Sequence, residues 1–405
     1  MKIGVLFDRF GPYHIARIRG ARKQAQILAI EGAPHRTVYN WSPPKLPKNV
    51  DYVALSHKPG EETNPKLIEQ RLDQLVRPFT LDALALPGWS NMVTLTTLRW
   101  CRKQGIPAVC MSETNSWDLP RHHLVETFKR GLVSHYSSGL ATNQSQKEYL
   151  VRLGLNKNAV FGGYNAVENA FFRQKAEYWR RTDSLPPSVA GLVPMRANGR
   201  YLLASNRFIP KKNLIRLLEA YAEFRQGRSN TLEDWPLVLL GDGEMRSEIE
   251  QKIEALGLES FVHLPGFLQI DELVQYYGTA GGFIHASTTE QWGLVINEAM
   301  AAGLPVAASN RCGATSYLIE DGVTGFSFDP FDVSAIAEAM SRIAALPPDS
   351  DLLDAARERV DQLRPERFGE GLINAAQAAQ PSRAGTLSRV ALSLAIRRAA
   401  WSESA

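Results

Sequence analysis

Gly282-Phe283-Ile284-His285-Ala286, Ser287-Thr288-Thr289-Glu290-Gln291-Trp292-Gly293, Leu294-Val295-Ile296-Asn297-Glu298-Ala299-Met300-Ala301-Ala302, Gly303-Leu304-Pro305 and Val306-Ala307-Ala308-Ser309 follow one another without a break. A short apolar run ends in a polar loop, and a glycine then opens an apolar stretch of helical length. Gly303 and Pro305 stop that stretch before a second apolar run. The segment reads as strand, loop, helix, strand, and two strands joined through a helix lie parallel.

The same rhythm extends in both directions. Strands are expected at Lys2–Asp8, Asp51–Ser56, Asp82–Leu86, Pro107–Met111 and Gly139–Thr142 in the first half. Tyr201–Ala204, Leu237–Leu240, Phe261–Leu264 and Gly325–Phe328 join the opening pair in the second. Helical patterns lie between them, at His14–Ala29, Pro65–Val76, Val93–Gln104, Asn213–Phe224, Glu244–Leu256 and Asp271–Tyr277. Such alternation predicts α/β architecture with parallel sheets covered on both faces. Leu185 to Gly199 is rich in proline and lacks periodicity. The expected division is therefore residues 1–185, a linker at 186–200, a second domain at 201–375 and a helical tail at 376–405.

Composition narrows the class. Hydrophobic residues make up 44% and charged residues 22%, as in ordinary globular chains, which excludes disorder and a disulfide scaffold. A net charge of +4, from 46 basic and 42 acidic residues, is too even for a nucleic-acid binder. No apolar run reaches the ~18 residues of a membrane span. Asp8-Arg9 interrupts the first apolar stretch too early for an export signal. Three cysteines without metal-ligand spacing fit a reducing compartment, so a cytoplasmic protein is expected. In the tail, Arg383, Arg389, Arg397 and Arg398 flank Val390, Leu392, Leu394 and Ile396. That pattern suits either a helix packed on the body or a basic amphipathic helix on the inner face of a membrane.

Ligands of open α/β sheets sit beyond the carboxyl ends of the strands. There the second half delivers Asn206, Arg207 and Lys212, then Gly241-Asp242-Gly243-Glu244, then Pro265-Gly266-Phe267, then Glu290, Gly293 and Glu298. Arg207 forks onto phosphate oxygens and Lys212 adds a point charge. The first amides of a helix at Gly293, Leu294 and Val295 form an anion site. Glu290 and Glu298 could each accept two hydrogen bonds from a sugar diol. Singly, these residues also suit solvated element ends, a turn at Asp242, or a carboxylate complementing a helix dipole at Glu298. Their convergence on one rim favours a nucleotide diphosphate joined to a polyol.

Tyr201 to Asp332 resembles the family 4 glycosyltransferases, retaining enzymes of the GT-B fold. The resemblance rests on Ser205-Asn206-Arg207-Phe208-Ile209-Pro210-Lys211-Lys212, on Leu240-Gly241-Asp242-Gly243-Glu244 and on Leu264-Pro265-Gly266-Phe267. It rests above all on the E-x7-E pattern from Glu290 to Glu298 with its trailing Gly303-Leu304-Pro305. It implies two Rossmann-like domains facing a cleft. It implies that Arg207 and Lys212 bind the donor diphosphate, that Glu290 takes the transferred sugar and that Glu298 holds the ribose. Gly266 and Phe267 would border the base. Asn213 stands where the family usually has glycine, Trp292 precedes Gly293, and Ala314-Thr315-Ser316 lacks a frequent glutamate. In the first half the resemblance is weaker. It places Gly11 against the donor phosphates, with His14 and Glu113 on the acceptor side.

The expected activity is transfer of a sugar from a nucleotide-diphosphate donor to a hydroxyl of a glycan or lipid-linked acceptor. No metal and no cofactor besides the nucleotide sugar is expected. A GT-B epimerase and a non-catalytic nucleotide-sugar-binding subunit are the competing readings. A dinucleotide oxidoreductase fits less well, because Gly11-Pro12-Tyr13 stands where G-x-G-x-x-G would follow the first strand.

Overall fold

The computed structural model describes residues 1–35, 41–42, 45–118, 120–182, 201–227 and 235–402. The expected linker at 186–200 lies outside these residues. The chain divides into two compact units, Met1–Val167 with Leu363–Ala405, and Glu168–Gln362.

The first unit is built on a seven-stranded sheet of β1 (Lys2–Phe7), β2 (Gln26–Glu31), β3 (Asp51–Ala54), β4 (Ala83–Pro87), β5 (Ala108–Met111), β6 (Ser138–Leu140) and β7 (Val160–Phe161). Its order is β3-β2-β1-β4-β5-β6-β7, and each neighbouring pair is parallel. The second unit holds a six-stranded parallel sheet of β8 (Leu202–Ser205), β9 (Leu237–Leu240), β10 (Val262–Gly266), β11 (Gly282–His285), β12 (Val306–Ser309) and β13 (Phe326–Phe328). Its order is β10-β9-β8-β11-β12-β13. Central strands such as Leu237-Val238-Leu239-Leu240 are buried throughout, because helices cover both faces.

Two expectations are corrected. The helix expected over His14–Ala29 ends at Arg22, and Gln26–Glu31 is β2, paired residue for residue with β1. A fully buried strand has no alternation to separate it from a helix that precedes it closely. The expected boundary at 185 also moves. The Asn169–Arg181 helix packs on the Ile270–Thr279 and Leu294–Ala301 helices and so belongs to the second unit. From Leu363 the chain belongs to the first unit again, where the Pro365–Ala378 helix packs on the Pro12–Arg22 helix. Small residues permit that approach: a Cβ on Gly20 would lie 2.1 Å from the Pro365 carbonyl oxygen.

The tail is not a separate element. Its Thr386–Ser402 helix buries Leu392, Ala395, Ile396 and Ala399 in the same core cluster as Leu95, Leu98, Leu132 and Val133. Of the two readings of the tail, packing on the body accounts for this face.

Gly20→Ala should lower the unfolding free energy by about 1–3 kcal/mol, because the helix pair must separate to admit a methyl group. Urea denaturation of both proteins measures it, and an unchanged midpoint would show that the pair is not tightly packed.

Candidate active site

In the second sheet the strand order reverses between β8 and β11, and such a switch point opens a crevice at the carboxyl end of the sheet. The loops that leave β8 and β11 meet there. The Thr288 amide donates to the Lys211 carbonyl at 2.8 Å, tying one loop to the other. Lys211 and Lys212 close a short 3-10 turn, Pro210–Lys212.

Both lysines converge on Glu290. Lys212 Nζ donates to Glu290 Oε1, and Lys211 Nζ donates to Oε2 at 3.2 Å. Lys212 and Glu290 are largely buried, whereas Lys211 is part-exposed. The Glu290 backbone is fixed as well, since its amide donates to the Arg311 carbonyl and its carbonyl accepts from the Gly313 amide, each at 3.1 Å. Burial by itself would push the Glu290 carboxyl up. The lysines overcome it and hold the group at about 2, so it is ionised at any physiological pH. Beside it His285 is buried, with Nε2 3.0 Å from Ser287 Oγ. Burial, reinforced by Lys212, pushes this imidazole down to about 3, so it is neutral. Two ammonium groups against one carboxylate leave the cluster net positive. Cys312 lies near these charges too, but burial pushes its thiol up to about 12 and leaves it unreactive.

Gly293 caps the Leu294–Ala301 helix at φ 102°, a left-handed conformation that favours glycine. Gly293, Leu294 and Val295 are partly exposed, and the amides of a helix's first turn have no acceptor within the helix. Glu298 lies one turn further in and is fully buried, its Oε2 accepting from the Tyr277 hydroxyl at 2.8 Å. The carboxylate expected to hold a ribose is therefore closed to solvent in this structure and held by Tyr277. Arg207 is exposed just beyond β8. Its loop is packed by the glycine turn after β9: a Cβ on Gly241, at φ 122°, would lie 1.7 Å from the Asn206 carbonyl oxygen. Asp242 is exposed and accepts from the Gly243 amide, the turn-shaping role open to it from sequence. Gly266 ends β10 at φ 92°, followed by the exposed Phe267.

Asn213 has a physical reason to replace glycine. It adopts φ 60°, and asparagine is among the few side-chain-bearing residues that do so readily. Its amide nitrogen donates to the Ala286 carbonyl at 3.1 Å and the Pro330 carbonyl at 2.7 Å. The lysine turn is thereby anchored to the loop that carries Glu290. Lys211, Tyr277 and this use of Asn213 were not singled out from sequence, whereas His285 is the packed, hydrogen-bonded side chain its sequence position suggested. The doubled lysine and an asparagine at a glycine position were the signals available for two of them.

In the first unit, Gly11 precedes the Pro12–Arg22 helix at φ −126°, so no backbone demand fixes a glycine there. The Gly11 amide donates to His14 Nδ1 at 3.0 Å, and the imidazole lies tilted by 38° against Phe7 with centroids 4.3 Å apart. Packing against the protein, with Arg17 nearby, lowers His14 to about 3, although part of the residue still reaches solvent. The neutral ring therefore carries its proton on Nε2. Arg17 is itself buried, lies over the Tyr164 ring at 4.7 Å and approaches Glu113 to 4.0 Å. This arginine, not anticipated, stands beside both acceptor-side candidates.

The comparisons with known proteins concern the family and the fold. Residues 194–360 match the family described as glycosyl transferases group 1, which supports a glycosyltransferase family for this part of the chain. The sulfoquinovosyl transferase SQD2 of Arabidopsis thaliana is 30% identical over 151 residues, 36% of this chain and 28% of that protein. The alpha-monoglucosyldiacylglycerol synthase of Acholeplasma laidlawii is 30% identical over 123 residues, 30% of each. The chain thus spans less than a third of the length of these relatives. Among solved structures, Anabaena Alr3699/HepE in complex with UDP and glucose superposes with TM-score 0.69 at 18% identity, over 92% of this chain and 98% of that one. The fold is that of the two-domain GT-B enzymes.

Two tests follow from this geometry. Asn213→Ala should cost about 2–4 kcal/mol, from the strained backbone and the two abandoned carbonyls, and Asn213→Gly distinctly less. Chemical denaturation ranks them, and equal losses would refute the backbone argument. Because His285 binds its proton more weakly folded than unfolded, stability falls as pH drops from 6.5 towards 3, by up to about 1.4 kcal/mol per pH unit. Glu290 adds to this only below 4.5, its share being lost as pH falls towards about 2. His14, held equally low, contributes over the same window, so His285→Gln should reduce the slope between pH 6 and 4 without abolishing it; an unaltered slope would show that His285 is not one of the groups responsible.

Proposed function

We propose that the protein is a retaining family 4 glycosyltransferase that moves a sugar from a nucleotide-diphosphate donor to a hydroxyl acceptor. The observation that carries this reading is the Lys211–Glu290–Lys212 cluster at the sheet's switch point, beside the N-terminus of the Leu294–Ala301 helix.

In this reading the donor diphosphate lies against Lys212, Arg207 and the first amides of that helix. Cations and oriented N–H groups offset the charge that grows on the leaving phosphate as the glycosidic bond lengthens. Glu290 is held ionised and so can only accept hydrogen bonds, which selects hydroxyl groups of the transferred sugar. In this structure both of its oxygens are engaged by lysine. The part-exposed Lys211 is the one free to swing towards phosphate and release an oxygen to the sugar. No side chain is required as nucleophile: acceptor and donor are held in reacting geometry, and the departing phosphate oxygen takes the acceptor's proton. The nucleotide sugar is the only co-substrate in this scheme, the charge being supplied by side chains and amides.

For the acceptor we propose a glycan or lipid-linked hydroxyl, met at the cytoplasmic face of a membrane. The lipid product in the name of the Acholeplasma relative supports this choice. His14 and Glu113, with Arg17 between them, are the acceptor-side groups.

Incubation with UDP-, GDP- and ADP-sugars should release nucleoside diphosphate and form an α-glycoside when a matching acceptor is present. An epimerised sugar nucleotide, or tight binding with no turnover, would replace this reading with one of its competitors. Glu290→Ala and Lys212→Ala should each lower turnover at least about 100-fold with the fold retained by circular dichroism. Full activity in either variant would remove the cluster from the mechanism.

A further inference from the structure

The tail helix buries one face and leaves another uncovered. Leu387, Val390 and Leu394, at positions i, i+3 and i+7, share a stripe on which Leu387 is 86% and Leu394 53% exposed. Arg397 and Arg398 continue that stripe by one turn and are exposed, as is Arg389.

The neighbouring His123–Val133 helix extends the surface. A Cβ on Gly131 would lie 3.3 Å from Ala391 Cβ, and His135 Nε2 lies 3.0 Å from the Ser388 carbonyl oxygen. Residue numbers therefore fall along one helix as they rise along the other, and the two run antiparallel. Leu124 stands two turns before Gly131 on the same side, which brings it level with Arg398. It is 83% exposed, with Val125 and Arg130 exposed on the same helix.

Charge identifies what covers this surface. Thr386–Ser402 contains no acidic residue. The only acid of His123–Val133 is Glu126, which is occupied by Lys129 and by the Tyr149 hydroxyl. Among the described residues of these two helices, the apolar stripe is thus bordered by arginines with no opposing carboxylate, and Glu403 follows in sequence beyond them. A second copy docking through the same face would set these arginines against their own equivalents. We propose that the joint surface of the tail helix and the His123–Val133 helix docks on a membrane of anionic lipid. Leucine and valine side chains enter the headgroup boundary and arginines meet the lipid phosphates. The proposal deepens the acceptor reading above, because a lipid-linked acceptor would be held at the same surface. It does not depend on the donor chemistry.

The experiment is co-sedimentation of the full chain with vesicles of pure phosphatidylcholine and of equimolar phosphatidylcholine and phosphatidylglycerol. Truncating the tail would remove Leu392 and Ile396 and uncover the core residues they pack against, Leu95, Leu98, Leu132 and Val133, so exposed positions are substituted instead. Leu387→Ser with Leu394→Ser, and Arg397→Gln with Arg398→Gln, should keep the wild-type melting temperature. The arginine pair should weaken binding to the anionic vesicles roughly 25-fold, about five-fold per charge. The leucine pair should abolish it, and added salt should weaken the wild type. Failure of the wild type to sediment, equal binding to both vesicles, or wild-type binding by either variant would overturn the proposal. So would a dimer in solution that the leucine pair dissolves, which would assign the face to a second copy. Titration of the same proteins with nucleotide sugars separates the two ideas: vesicle binding without donor binding sinks the transferase reading alone.

Discussion

The second unit depends on one carboxylate being kept charged where the surroundings disfavour charge. Glu290 lies in a largely buried position, and an isolated carboxyl there would take up a proton. Lys211 and Lys212 prevent that from a single turn of chain, each engaging one oxygen. Much of the surrounding structure supports this arrangement. The parallel sheet brings the ends of β8 and β11 side by side, the Thr288 amide joins their loops, and Asn213 anchors the lysine turn to the carbonyls of Ala286 and Pro330. Adjacent to this ion cluster, the Leu294–Ala301 helix directs its first amides at the same rim.

Tight turns set the remaining loops. At Gly241 any side chain would strike the Asn206 carbonyl, so the loop that presents Arg207 and the loop after β9 pack as one layer. Glu298 shows the opposite condition, a carboxylate closed off and held by a tyrosine from the Ile270–Thr279 helix. Access to it therefore requires the protein to move, whereas Glu290 needs only the swing of a lysine. The two glutamates look alike in their sequence motif and differ in environment because one precedes the helix and the other lies inside it.

The first unit uses its buried charge in another way. Arg17 sits within the core edge, over Tyr164 and near Glu113, and burial, reinforced by this arginine's charge, keeps the adjacent His14 neutral. In the same unit, Lys129 on the His123–Val133 helix is part-buried. Together with Arg121 and Glu126 it surrounds the Tyr149 hydroxyl. The final helix then closes the core of this unit while leaving a basic, apolar outer face.

The sequence by itself determined the parallel α/β class, most of the strands and the residues of the candidate rim in the second half. Those features are written locally: alternating apolar runs and helical periods set the elements, and glycines mark the turns. Local signals did not separate β2 from the helix before it, since a strand buried on both faces has no period of its own. Nor did they show that the chain from Leu363 returns to the first unit, because that is decided by Gly20 and Gly369 admitting a close helix contact. The pairing of both lysines with Glu290, the closure of Glu298 by Tyr277 and the place of Arg17 beside Glu113 were decided only by tertiary structure. Each joins residues far apart in the chain, and their distance and burial, which fix the charge they carry, do not exist until the sheet has brought them together.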